Sequence, residues 1–400
     1  MRAERPGDGG LFQHTDCSST RMQAVTTIVT GHRSTDSAGV MRGGFLPLRG
    51  RRAPGAGRVA AATALAAATL LALTACGSSG GRPDVPTRVP ATPVAGPGSA
   101  QAPAGDVIVG TADVQALAVA GGDGDGDGLL AVQSAAPSSI AVYAVDAPAD
   151  PRRVIEVPDD AAPMTRVADA DGRPAPPVVL VPAPGALLRV DLATGATDTA
   201  HIDGDAISAT GLPGGGYAVG TADGTVYILG DDLSVDRTVT GFVSADSLAA
   251  SGDALLVLDA HQTSLTEVDP ATGEHGAALR VGKGATRIVS DGYGRVIALD
   301  TDGGQMLVYG LDPLINRQLA PIGASPAALA ADPARGLVWV TFTGTDEVAA
   351  FDLSTGEPVE KHRYPTVAFP TSVAVGADGA VYVGSGRDGG VARISPEQIR

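Results

Sequence analysis

The chain has 400 residues and a formal net charge of −16, with 44% hydrophobic but only 4% aromatic residues, and with 54 glycines and 29 prolines. An acidic balance of this size argues against nucleic acid as a partner, because phosphate binding needs a basic surface. Two cysteines argue against a disulfide framework. No segment sustains a helical period of apolar residues, so the composition favours an all-β repeat architecture with a core of Val, Ala, Leu and Ile.

Residues 1–40 fit no part of the organisation that follows and are expected to be an upstream extension, disordered or arising from a mis-assigned start, with Met41 as the natural beginning. From there the order of features changes. Arg49, Arg51, Arg52 and Arg58 precede the apolar run Val59–Leu73, which is shorter than the roughly 20 residues a membrane-spanning helix requires and matches the apolar region of a signal peptide. The run ends in Leu73-Thr74-Ala75-Cys76. That tetrad resembles the lipobox of bacterial lipoproteins, and the Gly/Pro/Ser-rich residues 76–105 resemble their flexible tether. The resemblance implies a signal peptide over 41–75, cleavage before Cys76, a diacylglyceryl group on its thiol and a location on the extracytoplasmic face of the cell membrane. Two acyl chains anchor stably where one binds only reversibly. Loss of residues 1–75 would leave a net charge of about −21.

From Asp106 onward, short β-like runs alternate with Gly/Asp/Pro turns. The opening apolar residues of successive units are Leu117, Val167, Ile207, Leu248, Ile288, Leu329 and Val373, spaced by 50, 40, 41, 40, 41 and 44. The sixth unit shows the grammar: AALAAD, a turn, LVWVTF, a turn, EVAAFDL, a turn, PVEKHRY. The third turn recurs as DLATG (191–195), DPATG (269–273) and DLSTG (352–356), where Asp and Thr can bond the turn backbone and Gly can take a positive φ. Four-stranded units of this length are the mark of a β-propeller. The expected fold is therefore all-β, a seven-bladed propeller of four-stranded antiparallel blades over residues 106–400. The final unit stops one strand short, and Asp106–Gly110 is expected to supply the missing strand and close the ring.

Phrases such as AVYVGSG…GGVARIS and FDLSTGEPV resemble the YVTN-type, quinoprotein-like propellers of bacterial envelope proteins. The chain departs from several catalytic propeller families. Trp339 is its single Trp, against the recurrent tryptophans of WD repeats and pyrroloquinoline-quinone dehydrogenases, and Asn316 is its single Asn, against the Asn-containing metal sites of gluconolactonases. No nucleophile elbow, zinc motif or phosphate loop is present.

In a propeller, the loops joining fourth to first and second to third strands gather at the channel mouth, where ligands usually sit. Candidate binding residues on them are Asp159, Asp203, Asp246, His261, Asp302 and Arg387. Arg166 and Arg287 are further candidates, each one position before the aligned residue of an innermost strand. A charge so placed needs an anion or a carboxylate; Asp169 and Asp291 are the nearest acids in sequence, and a bound anionic ligand is the alternative. Gly121–Gly128, GGDGDGDG, places Asp123, Asp125 and Asp127 at positions 1, 3 and 5 of an EF-hand-like loop, with Gly128 at 6. Ala131 and Ser134 then stand where further ligands belong, so calcium is a candidate on a poor ligand set and an elongated first-to-second-strand turn is the plainer reading. No other cofactor is expected. These features describe a membrane-anchored, non-catalytic scaffold that binds an envelope protein or a small ligand. A propeller hydrolase or lactonase with residues dispersed around the channel mouth is the rival.

Overall fold

The computed structural model describes residues 85–98, 101–110, 113–121, 128–168, 177–387 and 389–399. The signal segment, Cys76 and the Asp123, Asp125 and Asp127 carboxylates lie outside them, as do Asp169 and Asp388. Strand β1 (Asp106–Val109) is followed by β2 (Val114–Ala120), β3 (Leu129–Ala135), β4 (Ser138–Ala144) and β5 (Arg153–Glu156), the last four forming one antiparallel sheet. Next come β6 (Thr165–Arg166), β7 (Val178–Asp191), β8 (Thr197–Gly211), β9 (Tyr217–Thr221), β10 (Val226–Leu229) and β11 (Val235–Val239), joined in a single six-stranded sheet. Two regular four-stranded sheets follow: β12 (Ser247–Ser251), β13 (Ala254–Asp259), β14 (Ser264–Val268) and β15 (His275–Arg280), then β16 (Ala285–Ser290), β17 (Arg295–Asp300), β18 (Gln305–Gly310) and β19 (Ile315–Pro321). A third comprises β20 (Pro326–Asp332), β21 (Leu337–Phe342), β22 (Glu347–Asp352) and β23 (Val359–Pro365). The last holds β24 (Pro370–Val375), β25 (Val381–Ser385) and β26 (Val391–Ile394), with β1 as its fourth strand.

The fold is a β-propeller of six blades, not the expected seven. The second and third repeat units share one sheet. Strand β7 runs through both the second and third strand positions of its unit, bending at Gly185 (φ 76°) so that Leu192 N donates to Pro177 O at 2.8 Å. Strand β8 then continues from its pairing with β7 directly into its pairing with β9. Leu180, Leu187 and Ile202 pack with Val219 and Leu229, so the wide sheet folds over on itself. Periodicity locates the strands, but hydrogen-bond continuity decides where one sheet ends.

The ring closes as the terminal strands suggest, by β1 pairing antiparallel with β26. Between blades the core is aliphatic: Leu299, Met306 and Val308 face Val338, Val340 and Phe342, and Trp339, fully buried, packs with Val348, Val381 and Ile394. Val119, Leu130 and Val132 meet Tyr382 and Val391 where the last blade meets the first. The repeated turn behaves as its spelling implies. Asp191, Asp269 and Asp352 each accept a backbone N–H within the turn at 2.8 Å, and Gly195, Gly273 and Gly356 take φ of 80°, 77° and 88°.

Candidate binding face

The second-to-third and fourth-to-first loops do meet on one face, and buried carboxylates hold them there. Asp300, at the end of β17 and without solvent exposure, accepts from Lys283 N, Gly284 N and Gly303 N, each at 2.8 Å. Asp259 accepts from Val243 N at 2.7 Å and Gln262 N at 2.9 Å, and Asp346 accepts from Phe369 N at 2.8 Å. A buried carboxylate is stable only when its lone pairs are filled, and here backbone donors from the neighbouring loop fill them. Much of the acidity of this face is thus structural. The residue entering the third strand is left-handed in successive blades: Thr263 (φ 48°), Gly304 (63°) and Asp346 (54°). At 263 and 346 a side chain bears a conformation that glycine adopts freely, at about 1 kcal/mol each.

Across these loops lies a second segment of the same chain. Residues 85–98, expected within a flexible tether, form an extended strap over the blades β12–β15, β16–β19 and β20–β23. Arg88 N donates to His261 O at 2.9 Å, and Gln262 Nε2 donates to Pro86 O at 2.7 Å. Ala91 and Asp302 flank Gly284 so closely that a Cβ at 284 would meet both. Further along, Val94 N donates to Ser325 Oγ at 2.8 Å, Thr343 Oγ1 donates to Val94 O at 3.0 Å, and Gly96 N donates to Thr343 O at 2.9 Å. Gly96 rests on the Gly344 carbonyl, where any Cβ would overlap it. The chain then passes Pro365, whose carbonyl accepts from Ala104 N at 2.8 Å, and enters β1.

Three of the candidate residues, Arg287, Asp246 and His261, are coupled electrostatically, and His261 also accepts from the strap at Arg88 N. Arg287 is half-buried on β16, beside a register shift between Ala285 and Arg287 that breaks the regular pairing with β17. Burial lowers the pKa of its guanidinium, and the negative charge of Asp246 opposes that shift. Asp246 is itself pushed above the usual carboxylate range by burial, against the Ala260 N–H that it accepts at 2.7 Å and the nearby His261. Asp246, not Asp291, is therefore the acid that answers Arg287; Asp291 pairs with Arg295 at 2.6 Å. The other candidates are dispersed. Asp159 is exposed after β5, and Asp203 is exposed on β8 beside His201 at 3.1 Å. Arg166 is half-buried on β6. Arg387 stacks over Phe369, 4.2 Å from the ring centroid.

Next to Val85 of the strap lies an open cleft of about 310 Å³, lined by Val85, Phe242, Val243, Gln262, Thr266 and His275. The Phe242 and His275 rings stack there at 4.8 Å and 16°. Neither ring nor the strap was legible as a site in the sequence. Among the described residues, no group of three or more His, Cys, Asp or Glu is placed to hold a metal ion, and no helix is long and apolar enough to cross a membrane.

No family model and no curated protein matches the chain. Solved structures match at the level of fold. A chain from the structure of U3-55K is 14% identical with a TM-score of 0.57, covering 71% of this chain and 95% of its own. A chain of the mitotic checkpoint complex is 13% identical with a TM-score of 0.56, covering 79% of this chain and 94% of its own. A chain of Kuenenia stuttgartiensis hydrazine synthase is 14% identical with a TM-score of 0.57, covering 71% and 96%. At such identities the likeness establishes the β-propeller and carries nothing about activity.

Proposed function

We propose that this protein is a membrane-anchored extracytoplasmic lipoprotein, of the YVTN or quinoprotein-like kind, whose propeller binds a protein partner through its loop-rich face without catalysis. The anchor reading is supported by Leu73-Thr74-Ala75-Cys76 at the end of a short apolar run behind four arginines. The binding reading rests on one observation: the loop face holds an extended segment of the chain through hydrogen bonds to that segment's backbone. A surface that binds one peptide in this way has the geometry to bind another.

Two measurements test this reading. Metabolic labelling with a fatty acid should mark the membrane fraction of the unmodified chain, whereas Cys76→Ala should be unlabelled and released from the membrane. In-cell crosslinking from a photoreactive residue at position 302 should capture a specific envelope protein, and the same probe at Asp198, on the outer part of β8, should not. Equal membrane association of both forms, or no protein captured preferentially from position 302, would overturn it.

A further inference from the structure

We propose that the groove across the loops of the β12–β15, β16–β19 and β20–β23 blades is a recognition site for extended, proline-containing segments, and that residues 85–98 are its resident, displaceable ligand. This deepens the binding reading above by naming the chemical class of partner. The strap reads VPTRVPATPVAGPG, with Pro86, Pro90, Pro93 and Pro97 spaced by 4, 3 and 4. Each proline holds φ near about −65°, so the segment is extended before it binds and loses little chain entropy on docking. Recognition is of the main chain. The hydrogen bonds engage Pro86 O, Arg88 N, Val94 N, Val94 O and Gly96 N, and the strap comes closest to the loops at Ala91, with its single methyl, and at Gly96, which has no side chain. Val89 and Val94 point outward, 92% and 68% exposed. The site therefore selects a backbone shape, with small residues where the chain nears the loops, as proline-rich recognition grooves do.

Release is inexpensive and leaves the ring intact. The strap buries little apolar surface, and its hydrogen bonds lie at the rim, where water replaces them readily; such segments open at the low end of local stability. Beyond it, the Ala104–Pro365 hydrogen bond and the pairing of β1 with β26 keep the chain in the ring. The cis strap competes at an effective concentration in the millimolar range, so a partner in trans needs a contact that the strap lacks. The cleft beside Val85 offers one. Its volume of about 310 Å³, with the Phe242–His275 stack as its wall, accommodates an aromatic side chain, whereas Val85 is still 41% exposed at its edge. The favoured ligand is a proline-rich segment carrying an aromatic residue at the place of Val85.

The test uses the full chain with Cys76→Ala, so that it is independent of the anchor, and with Arg88→Pro and Gly96→Val to disengage the strap. The first change removes a donor and the second places a side chain on the Gly344 carbonyl. The probe is a synthetic 85–98 peptide with tryptophan at its first position, followed by fluorescence anisotropy. Exchange of the Val94 amide should accelerate at least tenfold in the disengaged chain, which should bind the probe at least tenfold more tightly than the chain with its strap in place. Ser325→Ala with Thr343→Val should weaken that binding at least fivefold, and a probe with glycine first should bind at least threefold more weakly. Persisting protection at Val94, no saturable binding, or equal affinity for both chains would overturn the proposal. Because no anchor or cellular partner enters the assay, failure here is distinguishable from failure of the lipoprotein reading.

Discussion

The blades and the strap are two ways of holding one chain, and they differ in what they bury. A blade such as β20–β23 excludes Trp339, Val340 and Phe342 from water and is tied to its neighbours through aliphatic contacts. The strap uses hydrogen bonds at the rim and leaves its larger side chains in solvent. Apolar burial is roughly proportional to area and is shared cooperatively, whereas an exposed hydrogen bond exchanges readily for one to water. The ring should therefore unfold as a whole while the strap opens alone.

The strongest way to break that contrast is in the core. Trp339→Ala should cost about 4 kcal/mol, since it empties a fully buried site between two blades; a urea midpoint within error of wild type would show that the blades are not the cooperative unit. Asp300→Ala should follow at about 3 kcal/mol, because three backbone donors lose their acceptor in a buried place. The same denaturation experiment reads it, and Asp300→Asn should recover part of the loss. Gly96→Val should change global stability by less than about 1 kcal/mol while accelerating amide exchange at Val94, because only the strap is displaced. A global loss comparable to that of Trp339→Ala would make the strap part of the ring.

The smallest expected effect concerns the Asp246 carboxyl. Its folded pKa lies above the ordinary value of about 3.9 because of burial. The native state thus holds a proton that the unfolded state has released, and the associated stability is present below the unfolded value and lost as pH rises through the folded one. The stability of Asp246→Asn relative to wild type should therefore increase between about pH 4 and neutrality. A difference independent of pH in urea melts would mean that the carboxylate is as well solvated in the native state as in the unfolded chain.

Legibility followed the same division. The sixth repeat could be read strand for strand, and the turns spelled DLATG, DPATG and DLSTG adopted the bonds that their residues imply. The closing strand Asp106–Val109 was visible as an unpartnered run. The sheet count was not visible: Pro184-Gly185 in VVLVPAPGALLRVD reads as a turn between two strands, yet β7 runs through it with a bend at Gly185, and β8 continues from its pairing with β7 into its pairing with β9. At the site, the loop face could be located by counting strands; His261, Asp246 and Asp302 lie in its loops, whereas Asp203, expected in a loop, lies on β8. Its occupant could not be found. A Gly/Pro-rich segment with no apolar period has the composition of a linker, and its bound state depends on backbone donors and acceptors that composition does not reveal.

What the sequence by itself determined is the local grammar: short strands of period two, turns spelled by Asp, Thr and Gly, and repetition that forces a radial closure. These follow from near-neighbour sterics and hydrogen bonding, which a few adjacent residues specify. Only the tertiary structure decided that two units merge into one sheet, that Asp246 and not Asp291 answers Arg287, and that residues 85–98 lie bound across three blades. Each of those outcomes depends on which groups are desolvated together, and residues far apart in the chain become neighbours only when the ring closes.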